Sequence, residues 1–189
     1  MGKVVVTEFV TLDGVMEDPG GSEGFERGGW AFRFERGPEG DAFKLDELMR
    51  ADAQLLGRRT YEGFAAAWPS RQDEAGFADR MNSMPKFVVS STLVDPEWQN
   101  TTVVSGDLAA EIRKIAEQFD GDVLVAGSAQ LVQGLLAADV LDELRLMVFP
   151  VVLGAGKKLF ADGADQRAFD LVDVRPAGAT VIQTLRRSR

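Results

Sequence analysis

The chain has 189 residues, a formal net charge of −9 and 45% hydrophobic residues. This length suits one domain over residues 1–189 with a substantial core, whereas no apolar run reaches the roughly 18 residues that span a bilayer. The acidic surface disfavours nucleic acids and anionic membranes as partners, so we expect a small-molecule ligand. Cysteine and histidine are absent, which excludes thiol chemistry and the commonest metal ligand and general base. We expect no metal site, and the lack of a signal-peptide pattern favours the cytoplasm.

Residues 3–10 are rich in β-branched side chains and predict a first strand, which a turn at Asp13 and Gly14 ends. Residues 18–40 follow with seven glycines, two prolines and several aromatic side chains, but with no clear period. Loops of this length inside a compact domain are usually functional. We therefore interpret this segment, which contains Trp30 and Phe32, as a lid or pocket wall. The alternative is an aromatic loop packed over the edge of the core.

Residues 41–51 predict a helix with Asp41 as its N-cap. Residues 53–56 predict a second strand, which meets Gly57, and a second helix begins at once. The first residues of that helix are Arg58, Arg59 and Thr60. Glycine, guanidinium and hydroxyl groups beside a helix N-terminus suit a phosphate, whereas the alternative is two solvated arginines on a helix surface.

Residues 72–82 predict a short helix, and residues 87–89 predict a buried strand. Ser90, Ser91 and Thr92 follow that strand, either as ordinary turn or cap residues or as ligands for an anion. Residues 101–104 predict a further short strand, after which a helix begins at Ser105 or Asp107.

Residues 123–126 form a continuous apolar run that predicts a strand buried on both faces. Gly127 ends this strand, and the spacing of the apolar residues from Leu131 onward predicts a helix directly after it. A junction of this kind offers free backbone N–H groups at the positive end of a helix dipole. The glycine thus predicts a phosphate site, or else serves the tight bend alone.

The carboxy-terminal third predicts a strand around residues 144–149 and a β-hairpin formed by residues 168–174 and 180–185. Residues 154–157 read Gly-Ala-Gly-Lys, but they lack the spacing and the hydroxyl residue of a P-loop. Strands that alternate with helices before a β-rich end indicate an α/β fold. We expect a mostly parallel sheet with antiparallel strands added at one edge.

Five segments in this order resemble the dihydrofolate reductase-like superfamily, and more closely the stand-alone relatives of the reductase domain of the bifunctional riboflavin-biosynthesis deaminase/reductase. They are residues 11–14, 57–60, 90–92, 125–131 and 142–160. The resemblance covers nearly the whole chain, and its motifs are specific only in combination. It implies a three-layer αβα fold whose mostly parallel central sheet ends in an antiparallel carboxy-terminal β-hairpin.

The resemblance implies NADPH as the cofactor. The residues implied for the adenosine 2′-phosphate side are Gly57, Arg58, Arg59, Thr60, Ser90 and Ser91, and those implied for the pyrophosphate are Gly127, Ser128, Ala129, Gln130 and Leu131. The family often has consecutive glycines where this chain has Ser128 and Ala129, whose side chains would crowd the pyrophosphate.

Two carboxylates are implied as catalytic residues. Asp41 stands sixteen residues before Gly57, about where true dihydrofolate reductases carry an acid, and Asp13 lies in the Leu-Asp-Gly segment. The alternatives are a helix cap for Asp41 and a turn residue for Asp13. The candidate substrate-binding residues are Trp30, Phe32, Gly154 and Gly156.

We therefore interpret the chain as an NADPH-dependent oxidoreductase that transfers hydride to a small pteridine-, pyrimidine- or sugar-derived substrate. The alternatives are an NADP(H)-binding module without efficient turnover and a different α/β nucleotide or flavin binder. The apolar β-rich end also predicts a homodimer formed through the terminal hairpin.

Overall fold

The computed structural model describes residues 1–188. Its strands are β1 Val4–Thr11, β2 Ala51–Gly57, β3 Lys86–Val89, β4 Thr101–Val104, β5 Asp122–Val125, β6 Glu143–Phe149, β7 Phe169–Ala177 and β8 Thr180–Arg187. Its α-helices are α1 Gly37–Arg50, α2 Arg58–Ala67, α3 Phe77–Ser83, α4 Leu108–Ala116 and α5 Ala129–Ala137, and a 3-10 helix spans Trp30–Arg33.

The strands form one eight-stranded sheet in the order β4-β3-β2-β5-β1-β6-β8-β7. The pairs from β4 to β6 are parallel, and β8 adds antiparallel pairs to β6 and β7. The predicted α/β fold, mostly parallel with an antiparallel end, is confirmed. The central strands β1, β2 and β5 are mostly apolar, as strands covered on both faces must be.

The two faces of the sheet carry different halves of the core. On one face Val4 and Val6 pack with Ile112 of α4 and Leu135 of α5. On the other face Val5 packs with residues from α1, α2 and α3, including Leu48, Tyr61 and Met81. This alternation along β1 follows from the two-residue period of a strand. The helices therefore form a layer on each face of the sheet.

The parallel register gathers the carboxyl ends of β2, β3, β4 and β5 at one edge of the sheet. Helices α2, α4 and α5 start just after three of these strands, so their N-termini lie at the same edge. In open α/β sheets ligands bind at this edge.

Two predicted helix starts are wrong. Helix α1 begins at Gly37 with Arg36 at its N-cap position, because Pro38 suits the first turn. Asp41 therefore lies inside the helix, where its exposed carboxylate accepts a hydrogen bond of 2.5 Å from Arg36. Helix α3 begins at Phe77 rather than at residue 72, with Gly76 in a left-handed conformation before it.

Within residues 1–188, every helix is too short or too polar to serve as a membrane span.

Candidate active site

A cleft lies at the carboxyl ends of β2 to β5. Its volume is about 420 Å³, which is within the range of small-molecule sites. We call it the cleft; its lining residues are Gly57, Arg58, Val89, Ser90, Ser91, Thr92, Val104, Ser105, Gly106, Leu108, Glu111, Ser128, Gln130 and Leu131. Five of these carry hydroxyl groups and four carry branched aliphatic side chains, so the cleft offers many hydrogen bonds between apolar walls.

Two glycines bring the strand ends at the floor of the cleft into close contact. The backbone N–H of Gly57 donates to the carbonyl oxygen of Gly127 at 3.2 Å. A Cβ atom on Gly57 would overlap the side chain of Ser128 and lie 3.2 Å from its backbone nitrogen. Gly127 has a φ of +91°, and a Cβ there would lie 2.6 Å from Oγ1 of Thr60. The two predicted strand–glycine–helix junctions therefore pack tightly against each other. The peptide bond between Gly127 and Ser128 is cis.

Of the two residues that replace glycine at the start of α5, Ser128 lines the cleft and Ala129 does not. Ser128 is the N-cap of the helix, and its hydroxyl accepts a hydrogen bond of 3.5 Å from the backbone N–H of Leu131. Ala129 is buried in the core. Gln130 and Leu131 line the cleft. The helix N-terminus thus faces the cleft with free backbone N–H groups.

The arginines of the first junction lie in different positions. Arg58 lines the cleft and forms an ion pair of 2.9 Å with Glu62. Arg59 and Thr60 do not line the cleft, although Oγ1 of Thr60 lies 2.6 Å from the place that a Cβ atom on Gly127 would take. Ser90 lines the cleft, but its hydroxyl also accepts the backbone N–H groups of Thr92 and Leu93 at 3.1 and 2.9 Å. Its predicted turn role and its predicted ligand role are thus compatible.

Sequence reasoning missed the wall of the cleft formed by Ser105, Gly106 and Glu111. Gly106 has a φ of +113° in the turn between β4 and α4, so a serine–glycine pair after a strand was the available signal. Glu111 pairs with Lys114 at 2.6 Å and raises the pKa of that lysine through the hydrogen bond. One wall of the cleft therefore carries a negative charge.

Asp13 is fully engaged by its neighbours. Its carboxylate accepts hydrogen bonds from the Thr11 hydroxyl at 2.6 Å and from the backbone N–H groups of Leu153 and Gly154 at 3.2 and 2.7 Å. These bonds, the Thr11 hydroxyl first, lower the pKa of Asp13 to about 2. Asp13 therefore joins the end of β1 to the loop after β6 as an anion. A carboxylate in this state holds no proton to donate at neutral pH.

The aromatic loop is divided between core and surface. Trp30 is fully buried, donates from its indole N–H to the carbonyl oxygen of Glu17 at 2.9 Å, and packs edge-on against Phe149. Phe32 is 81% exposed. Gly156 approaches Val15 and Phe25 so closely that a Cβ there would overlap them. Trp30 thus packs the aromatic loop against the core, whereas the exposed side chain of Phe32 is accessible to a ligand.

A group of charged and polar residues lies between β1 and α1, and we call it the β1–α1 cluster: Thr7, Lys44 and Glu47. The Thr7 hydroxyl donates to Glu47 Oε1 at 2.7 Å and accepts from the Lys44 ammonium at 2.7 Å. Lys44 and Glu47 form an ion pair, although Oε2 of Glu47 is buried without a partner. Lys44 also lies 5.2 Å from the centre of the Phe9 ring. The three members of the cluster therefore bond to one another, and one oxygen of Glu47 is left without a partner.

Glu8 follows Thr7 on β1 and lies on the opposite face of the sheet, with Val6 and Val10. Its Oε1 is inaccessible to solvent and has no hydrogen-bond partner. Burial raises the pKa of Glu8 to about 8, although Lys44 and the backbone of Gly127 act in the opposite direction. This raised pKa favours the protonated form of Glu8 at neutral pH. Sequence reasoning missed it because it stands inside a run of strand-forming residues.

Solved structures of proteins with low sequence identity to this chain share its architecture. A putative riboflavin biosynthesis protein from Shewanella sp. PV-4 superposes with a TM-score of 0.78 at 22% identity, with all of both chains covered. Dihydrofolate reductase from Enterococcus faecalis, in a complex with NADP(H), superposes with a TM-score of 0.58 at 18% identity, covering 100% of this chain and 98% of that one. The fold is thus that of the dihydrofolate reductase-like proteins.

The sequence comparisons narrow this class to a family. The family described as the RibD C-terminal domain matches residues 2–183, and the chain belongs to it. Over 185 residues it is 26% identical to YyaP of Bacillus subtilis (strain 168), a protein described as uncharacterized, with 96% of this chain and 92% of YyaP covered.

Proposed function

We propose that this protein binds NADPH in the cleft and is a reductase of a small C=N or C=O compound. The observation that carries the proposal is the convergence in one cleft of five hydroxyl side chains, Arg58 and the N-terminus of α5. Hydroxyl groups, a guanidinium and a helix N-terminus are the groups that proteins use for phosphates. The relationship to the RibD C-terminal domain and the likeness to a dihydrofolate reductase support the same class.

The phosphates and the adenine of the cofactor each have a place in this proposal. Backbone N–H groups from Ser128 to Gln130 would hold the pyrophosphate, and Arg58 with Ser90 and Ser91 would hold the 2′-phosphate. The apolar walls at Val89, Val104 and Leu108 would cover the adenine. When bound, NADPH supplies a hydride. The protein supplies binding, orientation and a proton.

Titration with NADPH and NADH, followed by nicotinamide fluorescence, tests this proposal. We expect NADPH to bind more tightly than NADH, and Arg58→Ala to weaken NADPH about tenfold with little effect on NADH, because the guanidinium pairs with the extra phosphate. Arg50→Ala is the matched control, since Arg50 is exposed on α1 and pairs only with Asp46. No binding of either cofactor would rule the proposal out. Equal affinity would remove the role given to Arg58.

The substrate is proposed to be a pteridine, pyrimidine or sugar derivative that lies between the β1–α1 cluster and the loop that carries Phe32. NADP(H) binding without efficient turnover is the second candidate function. It is favoured by the way in which Thr7, Lys44 and Glu47 bond to one another and leave few polar groups for a substrate. NADPH binding without NADPH oxidation across a broad panel of imines and ketones would support that second candidate.

We also propose that the protein forms a homodimer through the terminal hairpin. Strand β7 is at the edge of the sheet, and Leu171, Val172 and Val174 are exposed on it. Apolar residues on an edge strand favour association. Light scattering at micromolar concentration is expected to give twice the mass of one chain, and Val172→Lys is expected to give a monomer. A wild-type monomer would contradict the dimer.

A further inference from the structure

Reduction of a C=N or C=O bond requires a proton as well as a hydride, and three carboxyl groups near the site differ in their ability to give one. Asp13 accepts three hydrogen bonds and stays ionised, as its low pKa indicates. Asp41 is exposed and ion-paired with Arg36. Glu8 alone among these three has a buried oxygen without a hydrogen-bond partner.

The position of Glu8 relative to the cleft follows from the strand register. Val6 of β1 pairs with Val125, the last residue of β5. Glu8 lies two residues beyond Val6, at the level where the chain of β5 has become the Gly127 turn. The backbone of Gly127 is close enough to the carboxyl group of Glu8 to influence its ionisation. The carboxyl group is thus beside the turn to which the proposed function assigns the pyrophosphate.

Charged groups on several elements influence the ionisation of Glu8. From the other face of the sheet, helix α1 contributes Lys44, which favours the ionised form, and Glu47, which opposes it. The loop after β1 contributes Glu23, which also opposes ionisation. The largest influence is burial, and together these effects raise the pKa of Glu8 to about 8. An acid whose pKa is near the working pH is well suited to general acid catalysis.

We infer that Glu8 is the proton donor of the proposed reduction and that it lies beside the nicotinamide ring of the bound cofactor. This inference rests on the proposed function, because it places a residue of this chain against the cofactor proposed there. It adds a catalytic residue that differs from the two aspartates implied by the family resemblance.

The reduction adds one hydride and one proton to the substrate. Bound NADPH would supply the hydride to the carbon of the C=N or C=O bond, which would leave NADP⁺. The O–H bond of the Glu8 carboxyl breaks, an N–H or O–H bond forms on the substrate heteroatom, and the substrate is reduced by two electrons. The carboxylate that remains regains a proton from solvent.

A test that needs no substrate compares the affinities of NADP⁺ and NADPH between pH 6 and pH 9. Only the oxidised ring carries a positive charge, so NADP⁺ favours ionised Glu8 if the two groups are neighbours. By linkage, the affinity for NADP⁺ relative to NADPH then rises with pH, and we expect a change of about tenfold in the ratio. The 2′-phosphate titrates in both forms of the cofactor, so its effect cancels in the ratio.

Glu8→Gln preserves the shape of the protonated side chain but cannot ionise, so its ratio is expected to be independent of pH. Glu117→Gln is the matched control, because Glu117 is exposed at the end of α4, and it is expected to behave as the wild type does. A ratio that stays flat in the wild type, or that changes equally in Glu8→Gln, overturns the role of Glu8 while the proposed function stands. No binding of either cofactor overturns both.

A second measurement keeps the inference testable if Glu8→Gln does not fold. Carbon-13 NMR of glutamate carboxyl groups in the wild type is expected to show one group that titrates near pH 8 when no cofactor is bound, and near pH 7 when NADP⁺ is bound, a difference of about one unit. If every glutamate titrates below about pH 6, or if NADP⁺ leaves the Glu8 titration unchanged, the inference is wrong.

Discussion

The cleft and the β1–α1 cluster lie near each other on one sheet, but they use polar groups in opposite ways. The cleft presents hydroxyl and backbone N–H groups to solvent and is open to a ligand. In the cluster Thr7, Lys44 and Glu47 face one another in the interior. Open polar groups cost little when no ligand is bound, whereas buried charges cost several kcal/mol each unless they are paired. The cleft is therefore a binding surface, whereas the β1–α1 cluster is a buried group whose charges are paired internally.

The pH dependence of stability gives the largest expected effect on the buried side. Because the folded protein raises the pKa of Glu8 from 4.5 to about 8, its contribution is fully present below pH 4.5 and is lost as pH rises through 8. The unfolding free energy of the wild type relative to Glu8→Gln should therefore fall by up to about 4 kcal/mol between pH 4.5 and 9. Urea denaturation of both proteins at several pH values measures this difference. A constant difference would show that Glu8 ionises freely in the folded state.

The ion pair of the cluster gives the next effect. Lys44→Met leaves the carboxylate of Glu47 buried without its partner, and we expect a loss of about 3 kcal/mol in unfolding free energy. Adding Glu47→Gln removes that charge and should restore much of the loss, so the two changes should couple strongly in a double-mutant cycle. Arg50→Ala, which removes an exposed ion pair on the same helix, is expected to change stability by less than about 1 kcal/mol. Additive effects at Lys44 and Glu47 would contradict the pairing.

The two junctions that form the floor of the cleft were predictable from the sequence. The glycines at 57 and 127 stand between an apolar strand and an amphipathic helix, and such local patterns indicate a strand–turn–helix junction without knowledge of the fold. The order of the strands then brings both junctions to one edge. The cleft and the fold were therefore largely predictable.

The β1–α1 cluster was not predictable in this way. Lys44 with Glu47 has the spacing of an ordinary surface pair on a helix. Their burial depends on how α1 packs against β1, which no local pattern contains. Glu8 was missed as well, because it stands beside Thr7 in a run of strand-forming residues. The start of α1 was missed for a related reason: Asp41 suits an N-cap by residue type, but the chain already turns into a helix at Gly37.

On the open side, Gly127→Ala is expected to weaken NADPH binding about tenfold and to cost about 2 kcal/mol of stability, because the new methyl group meets Oγ1 of Thr60 and alanine disfavours a φ of +91°. Gly163→Ala separates the two causes, since Gly163 has a φ of +77° but nothing within 4 Å of an added Cβ. Fluorescence titration and thermal unfolding measure both quantities. Unchanged NADPH affinity in Gly127→Ala would remove this turn from the cofactor site.

The smallest expected effect concerns the acidic wall of the cleft. If the 2′-phosphate lies near Glu111, Glu111→Gln removes a repulsion and should tighten NADPH binding about threefold, with no change for NADH. Glu117→Gln is the control on the same side of the protein. Equal changes for both cofactors would place the 2′-phosphate away from Glu111.

Binding of the cofactor in the cleft is tested most directly by an amide NMR titration of the wild-type protein with NADPH. We expect the largest shifts at Gly57, Ser90, Ser91, Ser105, Gly106, Ser128, Gln130 and Leu131, all of which line the cleft. Shifts confined to the terminal hairpin or to the outer face of α1, or no shifts at millimolar NADPH, would contradict it.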